Sequence, residues 1–190
     1  MLETRLDPCP ALGAESAPVQ IGAISLAETD LALASVAGFR GGAAEPLLAE
    51  FLGAPPPGPG GLVQSGALGC FWTGAGQWML YAPHDTQEDL AARLAGQLQG
   101  VAAVTEQNDG WAGLDASGPN LPDAFERLVG FDIHAMQPGA AERCVIEHIG
   151  CFLLCLGPDR FRLLAARSYA RSLHHAVETC LRAADAFRAQ

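Results

Sequence analysis

The sequence predicts an α+β fold made of two similar β-hairpin-plus-helix halves with mainly antiparallel sheets. Paired apolar runs rich in strand-forming residues flank short turns that contain glycine, and a helical pattern follows each pair. This arrangement occurs twice, over residues 68–98 and 151–181. We therefore predict one folded domain over residues 19–190, made of two packed halves, 19–100 and 101–190.

The two copies align at a constant spacing of 83 residues (161 − 78 = 83). This spacing pairs Trp78 with Phe161, and it also pairs Gly74 with Gly157, Leu80 with Leu163, Asp85 with Ser168, Leu90 with Leu173 and Leu98 with Leu181. The shared spacing favours an internal duplication, although two successive hairpin-plus-helix units also occur in ordinary α+β chains. If the two copies are equivalent, both Trp78 and Phe161 should be buried. Each should pack on the helix that follows it, Trp78 through Leu94 and Phe161 through Val177.

The region before the first copy is predicted from shorter patterns. Residues 1–18 carry prolines and little periodicity, which predicts a flexible arm. Alternating apolar residues at 19–26 and 31–37 predict a hairpin, with a helix as the alternative for the alanine-rich second run. Helical spacing predicts a helix over 45–52. The proline-rich run at 53–61 predicts an extended surface connector, with docking into an aromatic groove as the alternative.

The region between the copies alternates strands and turns. We predict strands at 101–106, 111–117 and 144–149, and a helix at 122–129. In the second of these strands, alternation places Trp111, Gly113, Asp115 and Ser117 on one face. The last helix, predicted from Ser168 to about residue 187, carries an apolar stripe of Tyr169, Leu173, Ala176, Val177, Cys180, Leu181, Ala184 and Phe187.

Charge narrows the classes of partner. The net charge of −10 argues against binding to nucleic acid, and the 11 basic residues are all arginine. Residues 140–190 nevertheless carry 7 arginines and 5 acids, a balance of +2. Around the second hairpin we predict a partner interface formed by Arg160, Arg162, Arg167 and Arg171, whose planar guanidinium groups suit carboxylates on another protein. A solvated face is the alternative for the same four residues.

Targeting signals and disulfides are not expected. No apolar run reaches the length that a bilayer requires, and the N-terminus lacks the pattern of a secretory signal, so we expect a cytoplasmic protein without membrane contact. The chain has six cysteines. Because the chain is long and apolar enough to form a core without disulfides, we expect these cysteines to be free thiols.

Metal and catalytic sites receive little support from the sequence. A zinc site is suggested by Cys144, His148, Cys151 and Cys155. A continuous strand would place the first two and the last two on opposite faces, unless Gly150 forms a bulge. Burial of the cysteines as small apolar residues is the alternative. No nucleophile elbow, phosphate-binding loop or dinucleotide fingerprint is present, so we predict no catalytic, cofactor-binding or metal-binding residues in this chain.

Several segments together resemble a known family. The segments are FWTG at 71–74 with QWML at 77–80, VTEQNDG at 104–110, LDASGP at 114–119, FDIH at 131–134 and RSYARSL at 167–173. In this order they resemble the gamma subunit of heterotetrameric sarcosine oxidase, over residues 62–187. The resemblance implies a fold similar to that of aminomethyltransferase, the glycine-cleavage T-protein.

The resemblance also implies a function. It indicates a non-catalytic accessory subunit, assembled with alpha, beta and delta subunits, of a flavin-dependent complex that oxidatively demethylates sarcosine to glycine. FAD, FMN, NAD and tetrahydrofolate would then bind elsewhere in that complex, and none in this chain. A free-standing folate-binding, aminomethyltransferase-like protein is the alternative, although the paired-aspartate segment of the T-protein folate site is missing here.

Overall fold

Two antiparallel β-sheets form the framework of the chain, in a computed structural model that describes residues 9–13, 17–41 and 43–188. Residues 1–8 and 14–16 of the predicted flexible arm lie outside the described residues. The flexibility of residues 1–18 therefore stays a prediction. The strands are β1 (Val19–Ile21), β2 (Ile24–Thr29), β3 (Leu31–Gly38), β4 (Leu62–Ser65), β5 (Leu68–Gly74), β6 (Gln77–Pro83), β7 (Ala102–Glu106), β8 (Trp111–Ser117), β9 (Ala141–Ile146), β10 (Ile149–Gly157) and β11 (Arg160–Ala166).

The helices are shorter in total than the strands. They are α1 (Ala44–Leu52), α2 (His84–Gln87), α3 (Leu90–Gln97), α4 (Leu121–Phe125) and α5 (Ala170–Arg188), with single 3₁₀ turns at Ile133–Ala135 and Arg167–Tyr169. The predicted stripe of the last helix is wrong at both ends. Tyr169 lies in the 3₁₀ turn that precedes α5, and both Tyr169 and Phe187 are exposed. Phe187 packs instead under the guanidinium of Arg127, at 4.8 Å.

The strand order shows that the two predicted halves exchange strands. The six-stranded sheet runs β1-β2-β8-β11-β10-β9, and the five-stranded sheet runs β4-β5-β6-β3-β7. The predicted hairpin between 19–26 and 31–37 is therefore wrong: β2 pairs with β8, while β3 pairs with β6 and β7. The chain leaves one sheet at Asp30 and enters the other, because each strand buries its apolar face in a different core.

The two hairpins of the predicted repeat have the same register. In β5–β6, Cys70 lies opposite Leu80 and Trp72 opposite Trp78; the equivalent pairs in β10–β11 are Leu153 with Leu163 and Cys155 with Phe161. The register shifts at the same place in both hairpins, next to Gly74 and Gly157. All of these positions differ by 83, which confirms the predicted similarity of the two hairpins.

Three apolar clusters hold these layers together. Trp78 is 4% exposed and lies with Leu94 in the cluster between the five-stranded sheet, α1 and α3. Phe161 is 1% exposed and lies with Val177 in the cluster between the six-stranded sheet, α4 and α5. The predicted burial of both aromatics is therefore confirmed. The third cluster lies between the two sheets, where the rings of Phe71 and Phe152 are 5.0 Å apart.

Candidate functional site

Arg162, one of the four arginines predicted to form a partner interface, is not on the surface. Its side chain points between the two sheets, and the residue is 7% exposed. The guanidinium donates two hydrogen bonds to the Asp115 carboxylate, from Nε to Oδ1 at 2.6 Å and from Nη2 to Oδ2 at 2.7 Å. The prediction of an exposed arginine at this position is wrong, because the directly opposed strand β8 supplies a carboxylate that satisfies the buried charge.

Tyr81 of the other sheet completes this inter-sheet cluster. The guanidinium carbon of Arg162 lies 4.8 Å from the centre of the Tyr81 ring, and Gln64 Nε2 donates to the tyrosine hydroxyl at 3.4 Å. Burial lowers the pKa of Arg162, but the hydrogen bonds and charge of Asp115 outweigh this effect and raise the pKa overall. Burial also raises the pKa of the Tyr81 phenol, against the opposing charge of Arg162. At neutral pH Arg162 is therefore a cation and Tyr81 is a neutral phenol.

Arg160 lies on the same face of β11 but at its solvent-exposed end. Its side chain is 59% exposed, and its Nη2 atom lies 3.8 Å from Oδ2 of Asp115. A contact at this distance with an already paired carboxylate holds the side chain weakly. Arg160 is therefore exposed, and its predicted contact with a carboxylate on another protein stays a prediction.

The other two predicted arginines lie beside the N-terminal segment 9–13. Arg167 is half-buried and donates from Nη2 to the carbonyl oxygen of Cys9. Arg171 is exposed, and its Nη2 atom is 3.6 Å from the position that a Cβ on Gly13 would occupy. The four arginines thus form two separate groups, one at Asp115 and one at the N-terminal segment, rather than a single continuous face.

A cleft of about 220 Å³ opens where the chain crosses from β2 to β3. Arg167 and Trp111 line it together with Cys9, Pro10, Glu28, Thr29, Asp30, Leu31, Leu33, Asn108, Ala112 and Gly113. Two of its polar side chains bond within the chain: the Glu28 carboxylate accepts from the amides of Ala11 and Leu12, and Asn108 accepts from the amide of Leu33. The volume is below the roughly 300–1,000 Å³ that is usual for pockets binding drug-sized ligands.

The predicted zinc alternative does not assemble in the described residues. The chain turns at Glu147 and His148 instead of continuing as one strand, so Cys144 and Cys151 lie opposite each other on one face. The prediction that they point to opposite faces is wrong for this reason. His148 is exposed at the turn, and in the part of the chain that the structure describes no three His, Cys, Asp or Glu residues are placed to share a metal ion.

Sequence reasoning missed the partners of Arg162. Asp115 is 47 residues away in the chain and Tyr81 belongs to the other sheet. The alternation in β8 places Asp115 on the opposite face from the apolar residues Ala112 and Leu114, which correctly separates it from the helix-side core. Only the pairing of β8 with β11 identifies its partner, and that pairing has no local signal.

Comparisons with known proteins relate the chain by fold. A chain of the heterotetrameric sarcosine oxidase from Corynebacterium sp. U-96, solved in complex with pyrrole 2-carboxylate, superposes with a TM-score of 0.74 at 19% identity, over 86% of each chain. The glycine cleavage system aminomethyltransferase T from Bartonella henselae superposes with a TM-score of 0.59 at 15% identity, over 83% of this chain and 46% of that one. These likenesses confirm the predicted α+β, aminomethyltransferase-like fold.

No family model and no curated protein sequence matches the chain. Among the residues that the structure describes, no helix has both the length and the apolar character needed to cross a bilayer.

Proposed function

We propose that this chain is the gamma-type, non-catalytic accessory subunit of a flavin-dependent heterotetrameric sarcosine oxidase. The observation that carries the proposal is the fold match to a chain of such an enzyme over 86% of both chains. The alignment with the aminomethyltransferase, by contrast, covers less than half of that protein. The ordered sequence segments that resemble the gamma subunit add independent support, because a resemblance in sequence does not depend on the superposition of folds.

In the proposed complex this chain contributes contact surface and stability, while alpha, beta and delta subunits demethylate sarcosine to glycine. FAD, FMN, NAD and tetrahydrofolate bind to other parts of that cytoplasmic complex. Two features support this division of work. Arg162 is buried, paired with Asp115 and stacked on Tyr81, which leaves it poorly placed to meet a substrate. The cleft beside Arg167 is small, and its Glu28 carboxylate already accepts two hydrogen bonds within the chain.

Exposed arginines provide the proposed contacts with the partner subunits. Arg160 and Arg171 are exposed, and Arg167 is half-buried beside the N-terminal segment. Their planar donors suit carboxylates on a partner subunit, and the net charge of −10 makes a binding surface for nucleic acid or an anionic membrane unfavourable.

Co-expression with alpha, beta and delta subunits encoded in the same genome tests the proposal. With an affinity tag on the alpha subunit, this chain is expected to co-purify in stoichiometric amount and to co-elute with oxidase activity in size-exclusion chromatography. The isolated chain is expected to be colourless, to lack sarcosine oxidase activity and to bind tetrahydrofolate weakly at most. A chain that elutes apart from the complex and binds tetrahydrofolate tightly by calorimetry would contradict the proposal and favour the free-standing folate-binding protein.

A further inference from the structure

Two cysteines face each other across the hairpin formed by β9 and β10. Cys144 and Cys151 are directly opposed Cα partners, and their Sγ atoms are 3.4 Å apart. Opposed residues in an antiparallel pair have Cα atoms about 4.5 or 5.5 Å apart, and both spacings lie within the range that a disulfide spans. A contraction of the sulfur–sulfur distance to about 2.05 Å therefore requires side-chain adjustment without a change of strand register.

The two thiols differ in environment. The two thiols share a hydrogen bond in which either sulfur can be the donor. This contact lowers the pKa of Cys144 below its ordinary value, while the contact and burial together raise the pKa of Cys151. Cys144 is also the more exposed residue, at 8% against 2%, because it lies on the edge strand of its sheet. A thiolate is the nucleophile in thiol oxidation, so Cys144 is the member of the pair that reacts first.

We propose that Cys144 and Cys151 form a reversible dithiol–disulfide pair that hydrogen peroxide oxidises. The Cys144 thiolate attacks one peroxide oxygen, which forms an S–O bond, breaks the O–O bond and releases hydroxide that is protonated to water. The Cys151 sulfur then attacks the sulfenic sulfur of Cys144, forms the S–S bond and expels the oxygen as a second water. The two thiols lose two electrons and two protons in total, and one peroxide is reduced to two waters.

Of the four other cysteines, Cys70, Cys155 and Cys180 do not compete for this pairing, and Cys9 is exposed. Cys155 follows Cys151 by four residues on the same strand, which places it about 13 Å away, and its thiol donates to the carbonyl oxygen of Gly157. The Cys180 thiol donates to the carbonyl oxygen of Ala124, and Cys70 is buried in the helix-side core of the other sheet. Cys155 is thus a suitable matched control, because it is buried in the same sheet and lacks an opposed thiol.

A thiol count and a peptide map on the purified full-length chain test the proposal. The reduced chain is freed of reductant, treated with hydrogen peroxide, quenched with catalase, unfolded and alkylated. Reactive thiols, counted in a parallel sample before alkylation, are expected to fall from six to four. Cleavage after Glu147 is expected to leave the fragments that carry Cys144 and Cys151 joined until a reductant is added.

Three variants identify the partners. Cys155→Ala is expected to retain the loss of two thiols, whereas Cys144→Ser and Cys151→Ser are expected to abolish the joined fragments. Fragments that separate without reductant would overturn the proposal, as would sulfinic acid at Cys144 with Cys151 still alkylated, or a link that Cys155→Ala removes. The peptide map of the unmodified sequence decides the matter even if a serine variant fails to fold.

Discussion

The β5–β6 and β10–β11 hairpins have one backbone plan but different chemistry on the face between the sheets. In the first hairpin, Met79 lies opposite Ser35 of the neighbouring strand β3. In the second, the equivalent positions hold Arg162 opposite Asp115 of β8. The helix-facing sides remain alike, with Trp78 and Phe161 buried at matching positions.

This difference shows that the repeat conserves the packing on the helices and not the contacts between the sheets. A buried ion pair contributes little net stability, because the loss of hydration offsets much of the attraction. Its geometry is nevertheless demanding, since Arg162 bonds to its own sheet and stacks on Tyr81 of the other. We infer that the second hairpin fixes how the sheets are aligned, whereas the first hairpin supplies apolar surface and the tyrosine ring.

Truncation of the matching aromatics is expected to have the largest effect. Phe161→Ala and Trp78→Ala should each lower the free energy of unfolding by about 3–5 kcal/mol, since both remove large buried rings. Trp78→Ala also leaves the carbonyl oxygen of Pro57 without its indole donor, which is 2.9 Å away. Urea denaturation measures both changes. The exposed turn variant Asp159→Asn is the control, with an expected change in the free energy of unfolding below about 0.5 kcal/mol. A change as small as this for Phe161→Ala or Trp78→Ala would contradict the equivalence of the two hairpins.

Replacing Asp115 and Arg162 by the serine and methionine of the first hairpin tests whether the ion pair distinguishes the two hairpins. Asp115→Ser should lower the free energy of unfolding by roughly 3 kcal/mol, because it leaves the Arg162 charge buried without its partner. Combining it with Arg162→Met recreates the Ser35–Met79 arrangement and should recover most of that loss. Denaturation of the two single variants and the double variant gives the coupling energy. Additive losses in the double variant would show that the two positions do not interact as the structure indicates.

A glycine in the first hairpin accommodates the tyrosine of the inter-sheet cluster. Gly69 lies opposite Tyr81, and a Cβ on Gly69 would be 2.0 Å from the tyrosine ring carbon Cζ. Gly69→Ala should therefore lower the free energy of unfolding by about 1–3 kcal/mol, as overpacked cores do. The second hairpin has Phe152 opposite Leu164 at the equivalent positions. Adding Tyr81→Leu to Gly69→Ala should relieve the clash; a double variant less stable than Gly69→Ala would contradict this explanation.

Alkaline pH should destabilise the first hairpin through Cys70, which occupies the position of Leu153. Burial raises the pKa of Cys70 from 9.0 to about 12. A raised pKa in the folded state stabilises the protein below the unfolded-state pKa, and this stabilisation is lost as pH rises from about 9 towards 12. We expect Cys70→Ala to flatten the fall of stability with pH by about 1 kcal/mol per pH unit in this window. Leu153→Ala should lower stability at neutral pH without changing that slope; equal slopes in both variants would refute the assignment to Cys70.

Local patterns in the sequence predict the hairpins well, because glycine turns and alternating residues act over a few positions. The strand exchange escaped prediction because alternation in 24–29 and 31–38 indicates which faces are buried but not which strands pair. The β9–β10 turn was missed because Glu147 and His148, at φ 44° and 71°, adopt left-handed conformations without the usual glycine or asparagine. The burial of Arg162 was missed because its partner is distant in sequence and arginines are mostly exposed.

Arg160 provides the smallest expected change in stability and separates folding from assembly. Its side chain is 59% exposed, so Arg160→Glu should change the free energy of unfolding by no more than about 0.5 kcal/mol. Arg162→Glu, by contrast, would bury a second carboxylate opposite Asp115 and should prevent stable folding.

If Arg160 contacts carboxylates of a partner subunit, Arg160→Glu should reduce co-purification with the tagged alpha subunit while leaving the isolated chain folded. Arg127→Glu, on the helix side at α4 and α5, is the matched control for surface charge and should leave co-purification unchanged. Undiminished co-purification of Arg160→Glu would show that this end of β11 is solvated surface.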